Sequence, residues 1–229
     1  MTGRWTLGAQ SPVPSPSWKV YAQRYSALLV AVAENLPGDV VWWDFLEGRA
    51  DKPLAPDDTD RLTQLLVDGR LRNDLGEIMS GSGSRQWLRA RRTLPQGETT
   101  IGLSGSWGRD DLAAHLNLEV EEPPGASVWS YPDPTVASLV AAVLMAIDGS
   151  KAKIRERSLH RLLAKAKAPF DVGSHVYMSA PLDDPGKFPP GARQVPCGPG
   201  FLLIVPPGPT DDDTIARMRW VAAAIGATD

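Results

Sequence analysis

Apolar positions recur along this chain at two spacings. From Trp18 to Leu36, Val20, Tyr21, Ala27, Leu28, Val32 and Leu36 return at helical intervals, and Pro37-Gly38 stops the run. Val40-Val41-Trp42-Trp43-Asp44-Phe45 is rich in β-branched and aromatic residues and predicts a strand, as do residues 3–9 near the N-terminus. A second helix carries Leu62, Leu65, Leu66 and Leu71, with Asp57, Asp58 or Thr59 as its cap. Residues 99–107 and 115–120 predict two antiparallel strands. In the second, Leu116, Leu118 and Val120 alternate with His115, Asn117 and Glu119.

Pro132-Asp133-Pro134 opens the clearest helix, whose apolar stripe is Val136, Leu139, Val140, Val143, Leu144 and Ile147, ending at Asp148-Gly149. Lys151 to Lys167 reads as a basic helix with Ile154, Leu159, Leu162 and Leu163 inward, ending before Pro169. Strands near 174–180 and 200–206 and a helix from about Asp212 to Ala224 complete the chain. Strands are not regularly followed by helices, which excludes a doubly wound parallel sheet. The expectation is an α+β fold: a mainly antiparallel or mixed sheet with helices packed predominantly on one side. Residues 1–229 form a single domain; if it has two lobes, the break falls near 123–132, where Pro123-Pro124-Gly125 interrupts the pattern.

Composition narrows the function. A chain of 229 residues with net charge −3 lacks the basic balance of a typical nucleic-acid binder. The one cysteine, Cys197, excludes an internal disulfide and a cysteine-based zinc site. The N-terminus has no apolar run of signal-peptide length, and the longest apolar stretch, from Val136 to Ile147, is too short to span a bilayer, so a cytoplasmic location is expected.

No motif announces catalysis. Gly81-Ser82-Gly83-Ser84-Arg85 lacks the Gly-Lys-Ser/Thr ending of a phosphate loop and reads as a flexible loop. Gly102 to Gly108 fails the Gly-x-Ser-x-Gly spacing of a nucleophile elbow. The three histidines, His115, His160 and His175, match no metal-ligand spacing and are read as structural or surface residues. Asp211-Asp212-Asp213 suits a helix N-terminus better than a metal. No cofactor, metal or catalytic residue is therefore assigned.

Binding features stand out more. Neighbouring strand residues point to opposite faces, so of Trp42 and Trp43 one ring is exposed or lies under a loop unless both sheet faces are covered. The other tryptophans are read mostly as core. Acidic residues crowd two segments: Asp39, Asp44, Glu47, Asp51, Asp57, Asp58 and Asp60, then Asp110, Asp111, Glu119, Glu121 and Glu122. Such surfaces serve solubility, or steer a protein onto a basic cleft. The candidate partner-facing residues are Trp43, Asp44, Glu47, Asp51, Glu119, Glu121 and Glu122. The basic segments 85–92 and 151–167 support an alternative, a nucleic-acid-binding or regulatory module, although a solvated face is the ordinary fate of a charge run. A third reading is a small enzyme whose site assembles only in three dimensions around His115 or His175.

The tail carries a resemblance. Gly173 to Ser179, Leu182, Pro189-Pro190-Gly191, Val195, Gly198-Pro199-Gly200, the apolar strand Phe201–Val205 and the terminal Ala222-Ala223-Ala224-Ile225-Gly226 are similar to the immunity protein 52 family of bacterial polymorphic toxin systems. The resemblance implies a non-enzymatic cytoplasmic protein. Its partner would be a cognate secreted toxin, often a nuclease, neutralised by occluding the active site or blocking assembly.

Overall fold

A strand buries alternate residues and a helix buries a stripe, and both patterns are met in the computed structural model, which describes residues 2–11, 17–44, 53–70, 75–77, 82–109, 114–168, 172–182 and 188–226. The order is β1 (Thr2–Ser11), α1 (Trp18–Asn35), β2 (Asp39–Asp44), β3 (Pro53–Leu54), α2 (Thr59–Asp68), β4 (Ser82–Leu94), β5 (Gly97–Arg109), β6 (Ala114–Pro124), α3 (Asp133–Ile147), β7 (Lys151–Glu156), α4 (Arg157–Lys165), β8 (His175–Met178), β9 (Arg193–Cys197), β10 (Gly200–Ile204) and α5 (Asp211–Ala224). The strands form one ten-stranded sheet in the order β3-β2-β4-β5-β6-β1-β7-β8-β10-β9. Every neighbouring pair is antiparallel. The fold is α+β, as the patterning predicts. The sheet runs unbroken past 123–132, where the chain leaves β6 and makes a short 3₁₀ turn (Val128–Ser130) before α3.

Three helices, α1, α2 and α3, cover one face. Against them lie Trp5 and Leu7 of β1, Ile101 and Leu103 of β5, Leu116, Leu118 and Val120 of β6, and Ile154 of β7. Tyr21, Ala22, Tyr25, Leu28, Leu29 and Val32 give α1 its inner stripe, at the three- and four-residue spacing of one helix face. Pro134 in the first turn and a left-handed Asp148 just past the end set the limits of α3. Asp58 caps α2 by accepting from the Arg61 amide at 2.9 Å. Thr210 caps α5 by accepting from the Asp213 amide at 3.1 Å, and its hydroxyl donates to the Asp213 carboxylate at 2.7 Å. At least Asp213 of the acidic triplet is thus spent on capping.

The other two helices cover the opposite face at one end. Along β10, Leu202 and Ile204 enter the first core, while Leu203 and Val205 enter a second with Leu159 and Leu163 of α4 and Met218, Val221 and Ala222 of α5. Close approach here depends on glycine: a side chain at Gly173 would place its Cβ 2.2 Å from the Ile154 carbonyl oxygen, and one at Gly200 would meet the Met178 carbonyl oxygen at 2.3 Å. Arg193 of β9 forks onto Asp133 at the start of α3, at 2.5 and 2.6 Å.

Two expectations are corrected. Lys151–Lys167 is not one helix. Lys151 to Glu156 alternates with period two, burying Ala152 and Ile154, and forms β7 between β1 and β8. The vacant ladder edge of β1 outweighs the helical reading, and helix begins only at Arg157. Ser82–Arg85 is not loop either but the start of β4, whose far residues pair with β5. β9, unanticipated, and the two-residue β3 are the edge strands, and each carries a proline: Pro196 and Pro53.

One polar cluster lies inside the first core. Arg92 is fully buried and Glu122 is 2% exposed. Their side chains meet at 2.7 Å. Glu122 also accepts from Trp5 Nε1 at 2.8 Å and from the Tyr131 hydroxyl at 2.7 Å. Arg92 donates to the Thr99 hydroxyl, the Tyr131 oxygen and the Glu121 carbonyl at 3.0, 2.9 and 2.7 Å. Burial alone would lower the Arg92 pKa, but the bonds to Glu122 and Tyr131 leave it raised. Replacing Arg92 by Met or Glu122 by Gln is expected to cost about 3–5 kcal/mol, because each change strands a buried charge. The double change Arg92→Met/Glu122→Met should cost markedly less than the sum of the corresponding single changes to Met. Urea denaturation of the single and double variants measures this; additive losses would show that the two groups do not act as a pair.

Candidate functional site

Among the described residues, no helix covers the sheet face opposite α1–α3 over β2, β4, β5 and β6, and α4 reaches it only at β1 and β7. Strand alternation decides what it displays. On β4, Leu88, Ala90 and Arg92 turn inward, so Arg85, Trp87, Arg89 and Arg91 turn outward and all are exposed. Trp87 is 59% exposed. On the neighbouring strand Trp43 lies in register with Arg89, and Val41, 42% exposed, with Arg91. The Arg91 guanidinium carbon stands 5.9 Å from the centroid of the Trp43 ring, within cation–π range. Trp42, one residue earlier, is 1% exposed in the core. The adjacent tryptophans therefore serve opposite faces, and Trp43 is half-buried on the open one.

Pairing continues the display across the sheet. Trp87 aligns with Ser104, Ser104 with Asn117, Asn117 with Gly8, and Gly8 with Lys153. The next row runs from Arg89 through Gly102, Glu119 and Thr6 to Arg155. A floor of small and polar residues thus lies between the aromatic and arginine side chains of β4 and the cations of β7. Three carboxylates on this face are engaged, whereas Asp39, in register with Thr93 and on the same side of β2 as Trp43, is exposed: Glu119 pairs with Arg4, Glu121 accepts from the Thr100 hydroxyl at 2.5 Å, and Glu98 lies 3.6 Å from Arg91.

The residues proposed from sequence scatter. Trp43, Glu119 and Glu121 share the open face. Glu122 does not: as the next residue of β6 it turns inward, and its carboxylate is consumed by Arg92, Trp5 and Tyr131. Asp44 ends β2 in register with Leu88. Glu47 and Asp51 lie outside the described residues. Trp87 and the alternating cations were missed as one surface. Their signal was the period of two in Arg85-x-Trp87-x-Arg89-x-Arg91 and in Lys151-x-Lys153-x-Arg155, which places each set on one face of a strand.

Of the histidines, His115 is exposed on the open face and His160 on α4, whereas His175 is buried. Its Nδ1 lies 3.0 Å from the Ser174 hydroxyl, and its ring centroid is 4.6 Å from that of Trp129. Burial lowers its pKa to about 3, against the attraction of Asp133 and with help from Arg193. Cys197 is also buried; its thiol donates to the Ala137 carbonyl at 3.3 Å, and burial pushes its pKa up to about 11. Among the described residues no three of His, Cys, Asp and Glu form a metal-ligating group, and no helix is long and apolar enough to cross a membrane.

No protein-family model matches the chain, and no curated protein matches it in sequence. Among solved structures, its fold is similar to that of the Pseudomonas aeruginosa T6SS protein PA0821. The two align with a TM-score of 0.51 at 12% sequence identity, over 98% of this chain and 75% of that one. At this identity the likeness is one of fold.

The state of His175 has a consequence for stability. An unfolded histidine titrates near 6.5, whereas His175 in the fold resists protonation down to about 3. Between those values the unfolded chain binds a proton that the folded chain refuses. Stability is therefore complete above about pH 6.5 and falls on acidification, by at most about 1.4 kcal/mol per pH unit. Asp133, whose carboxyl Arg193 holds below its usual range, adds a loss in the same direction at lower pH. Urea midpoints between about pH 5 and 6.5 isolate the histidine part. A folded His175→Gln variant should flatten the slope there; an unchanged slope would refute the assignment.

Proposed function

We propose that this is a non-enzymatic immunity-type protein that binds and neutralises a cognate secreted toxin, a nuclease by expectation, in the cytoplasm of the cell that makes both. The carrying observation is the open sheet face: Trp87, Trp43 and a row of arginines displayed on a ten-stranded sheet. Tryptophan and arginine are the residues that most often dominate binding energy at protein interfaces. The immunity-family resemblance of the tail supports the reading. So does the likeness in fold to a protein of a T6SS.

The geometry changes the electrostatic part of the proposal. An acidic surface facing a basic cleft was the sequence expectation, yet on this face Glu119 and Glu121 are engaged while arginines stand outward. The complementary toxin surface is then acidic at β4. A metal-dependent nuclease has such a surface where carboxylates hold its ions.

The alternative, a nucleic-acid-binding module, gains from one observation: the basic segments 85–92 and 151–167 both contribute to this face, through β4 and β7. Against it, a phosphate backbone spanning the two would cross Glu119 and Glu121 on β6.

Co-expression with the toxin encoded beside it tests the reading. The wild-type protein should restore growth and co-purify with the toxin. Trp87→Ala and Arg89→Ala should each weaken binding by about 2 kcal/mol, roughly thirty-fold in Kd. Absence of a complex at micromolar concentration, or full affinity in both variants, would overturn it. Tight binding of an oligonucleotide that weakens steeply with salt would favour the alternative.

A further inference from the structure

We infer that the cavity between the start of α4, the loop 206–209 and the first turn of α5 binds a primary alkylammonium group, its charge held by Glu156 and Asp211 and its stem by apolar walls. The cavity has a volume of about 320 Å³, at the small end of the range of ligand sites. Leu159, Val205 and Met218 give it a buried apolar floor, and the half-buried Leu162 and Trp129 add to its sides. Ser158, Pro207, Pro209 and Asp211 are exposed on its rim, so it opens to solvent. It shares no residue with the surface around Trp87 and Trp43.

The lining selects for positive charge. Its charged members are Glu156 and Asp211, and no lysine, arginine or histidine lines it among the described residues. Glu156 accepts from the Trp129 indole at 2.9 Å, but a neutral donor leaves the carboxylate charge in place. Arg155 and Arg157 flank Glu156 and line the separate cleft against β1 that it also borders, so Asp211 carries the less opposed charge. Asp211 is exposed at the first position of α5, and its carboxylate has no ion pair or hydrogen bond among the described residues. The Trp129 ring offers an aromatic surface, which attracts cations. His175, stacked on it at 4.6 Å, adds no positive charge at neutral pH, because burial lowers its pKa to about 3.

Hydrogen-bond donors for an anion are scarce here. Pro206, Pro207 and Pro209 have no amide hydrogen, and the Gly208 amide donates to the Thr214 hydroxyl at 2.9 Å. The Thr210 hydroxyl donates to Asp213 at 2.7 Å, and that of Thr214 to the Thr210 and Gly208 carbonyls at 3.0 and 3.4 Å. Arg217 donates to the Pro206 and Pro207 carbonyls at 3.1 and 3.3 Å and is not part of the lining. A helix N-terminus alone attracts anions, with roughly half an elementary charge. The first turn of α5 carries Asp211, Asp212 and Asp213, which reverse that sign. Trp129 already occupies Oε2 of Glu156. That favours an ammonium, a point charge satisfied by one oxygen, over a guanidinium fork that uses two.

The test uses the full-length protein and pentylammonium at neutral pH in about 0.15 M salt, where long-range attraction is screened. Saturable shifts are expected at the Ser174 and Gly208 amides and the Trp129 indole N–H, with a Kd of about 1 mM or tighter. Methylammonium lacks the stem, and pentanol and pentanoate lack the positive charge; each should bind at least about ten-fold more weakly. A Glu156→Gln/Asp211→Asn variant keeps an acceptor for the Trp129 indole. It should lose about ten-fold in affinity for pentylammonium and stay within about two-fold for pentanol. Should it fail to fold, Asp211→Asn alone, at an exposed rim position, should still lose about three-fold. No shift at these groups, equal affinity for pentanol or pentanoate, or unchanged affinity in the folded variants would each overturn the inference. A blocked lysine with its ε-ammonium free separates two sources of the group. Binding as tight as that of pentylammonium assigns the site to a lysine side chain of another protein, and weaker binding assigns it to a free aliphatic amine; either result supports the site.

Discussion

The Arg92–Glu122 pair is the constraint on which the sheet's geometry depends. A charge with almost no exposure is tolerated only when its hydrogen-bonding capacity is met in full. Arg92 comes from β4, Glu122 from β6, Trp5 from β1, Thr99 from β5, and Tyr131 from the link to α3. No two of these can slide by one residue without stranding a charge in the apolar layer. A hydrophobic layer alone would accept several registers, since shifting a strand by two residues again buries apolar side chains. The polar cluster fixes one register for four adjacent strands. It thereby fixes which side chains line up across the open face.

The same logic explains why the sheet is covered differently along its width. Where β8 and β10 carry apolar residues on consecutive positions, as in Leu202-Leu203-Ile204-Val205, both faces are dry and helices lie on each. Where β4, β5 and β6 alternate strictly, only one face is dry. The boundary falls at β7, with Ala152 and Ile154 inward and Lys153 and Arg155 outward. α4 begins there, forming a wall against the polar surface. The surface available to a partner is therefore defined by where double-sided burial stops.

Much of this was legible in the residues. Proline-opened α3, the Asp58-capped α2, the alternating β6 and the opposed Trp42 and Trp43 all follow from local spacing and capping chemistry. The C-terminal glycines were visible as a motif, but their reason is tertiary: Gly173 and Gly200 sit where another backbone leaves no room for a Cβ. Three features could not be read locally. Lys151–Glu156 satisfies a helical and a strand pattern alike, and only the unfilled edge of β1 decides between them. Glu122 looks like one more member of an acidic run, and only strand parity and the distant Arg92 turn it inward. The open face draws on β4, β6, β1 and β7, so its row from Trp87 to Lys153 exists only after pairing.

An open sheet of ten strands has two free ladders, and each is a template for another chain. Here both ends are blunted. β3 contributes two residues, the first of them Pro53, and β9 carries Pro196, which lacks a donor amide and is tolerated only on an outer strand. Copies of this molecule therefore have little means of stitching themselves edge to edge into fibres. Blunt margins leave the broad flank of the sheet, and not its edges, as the surface open to another chain.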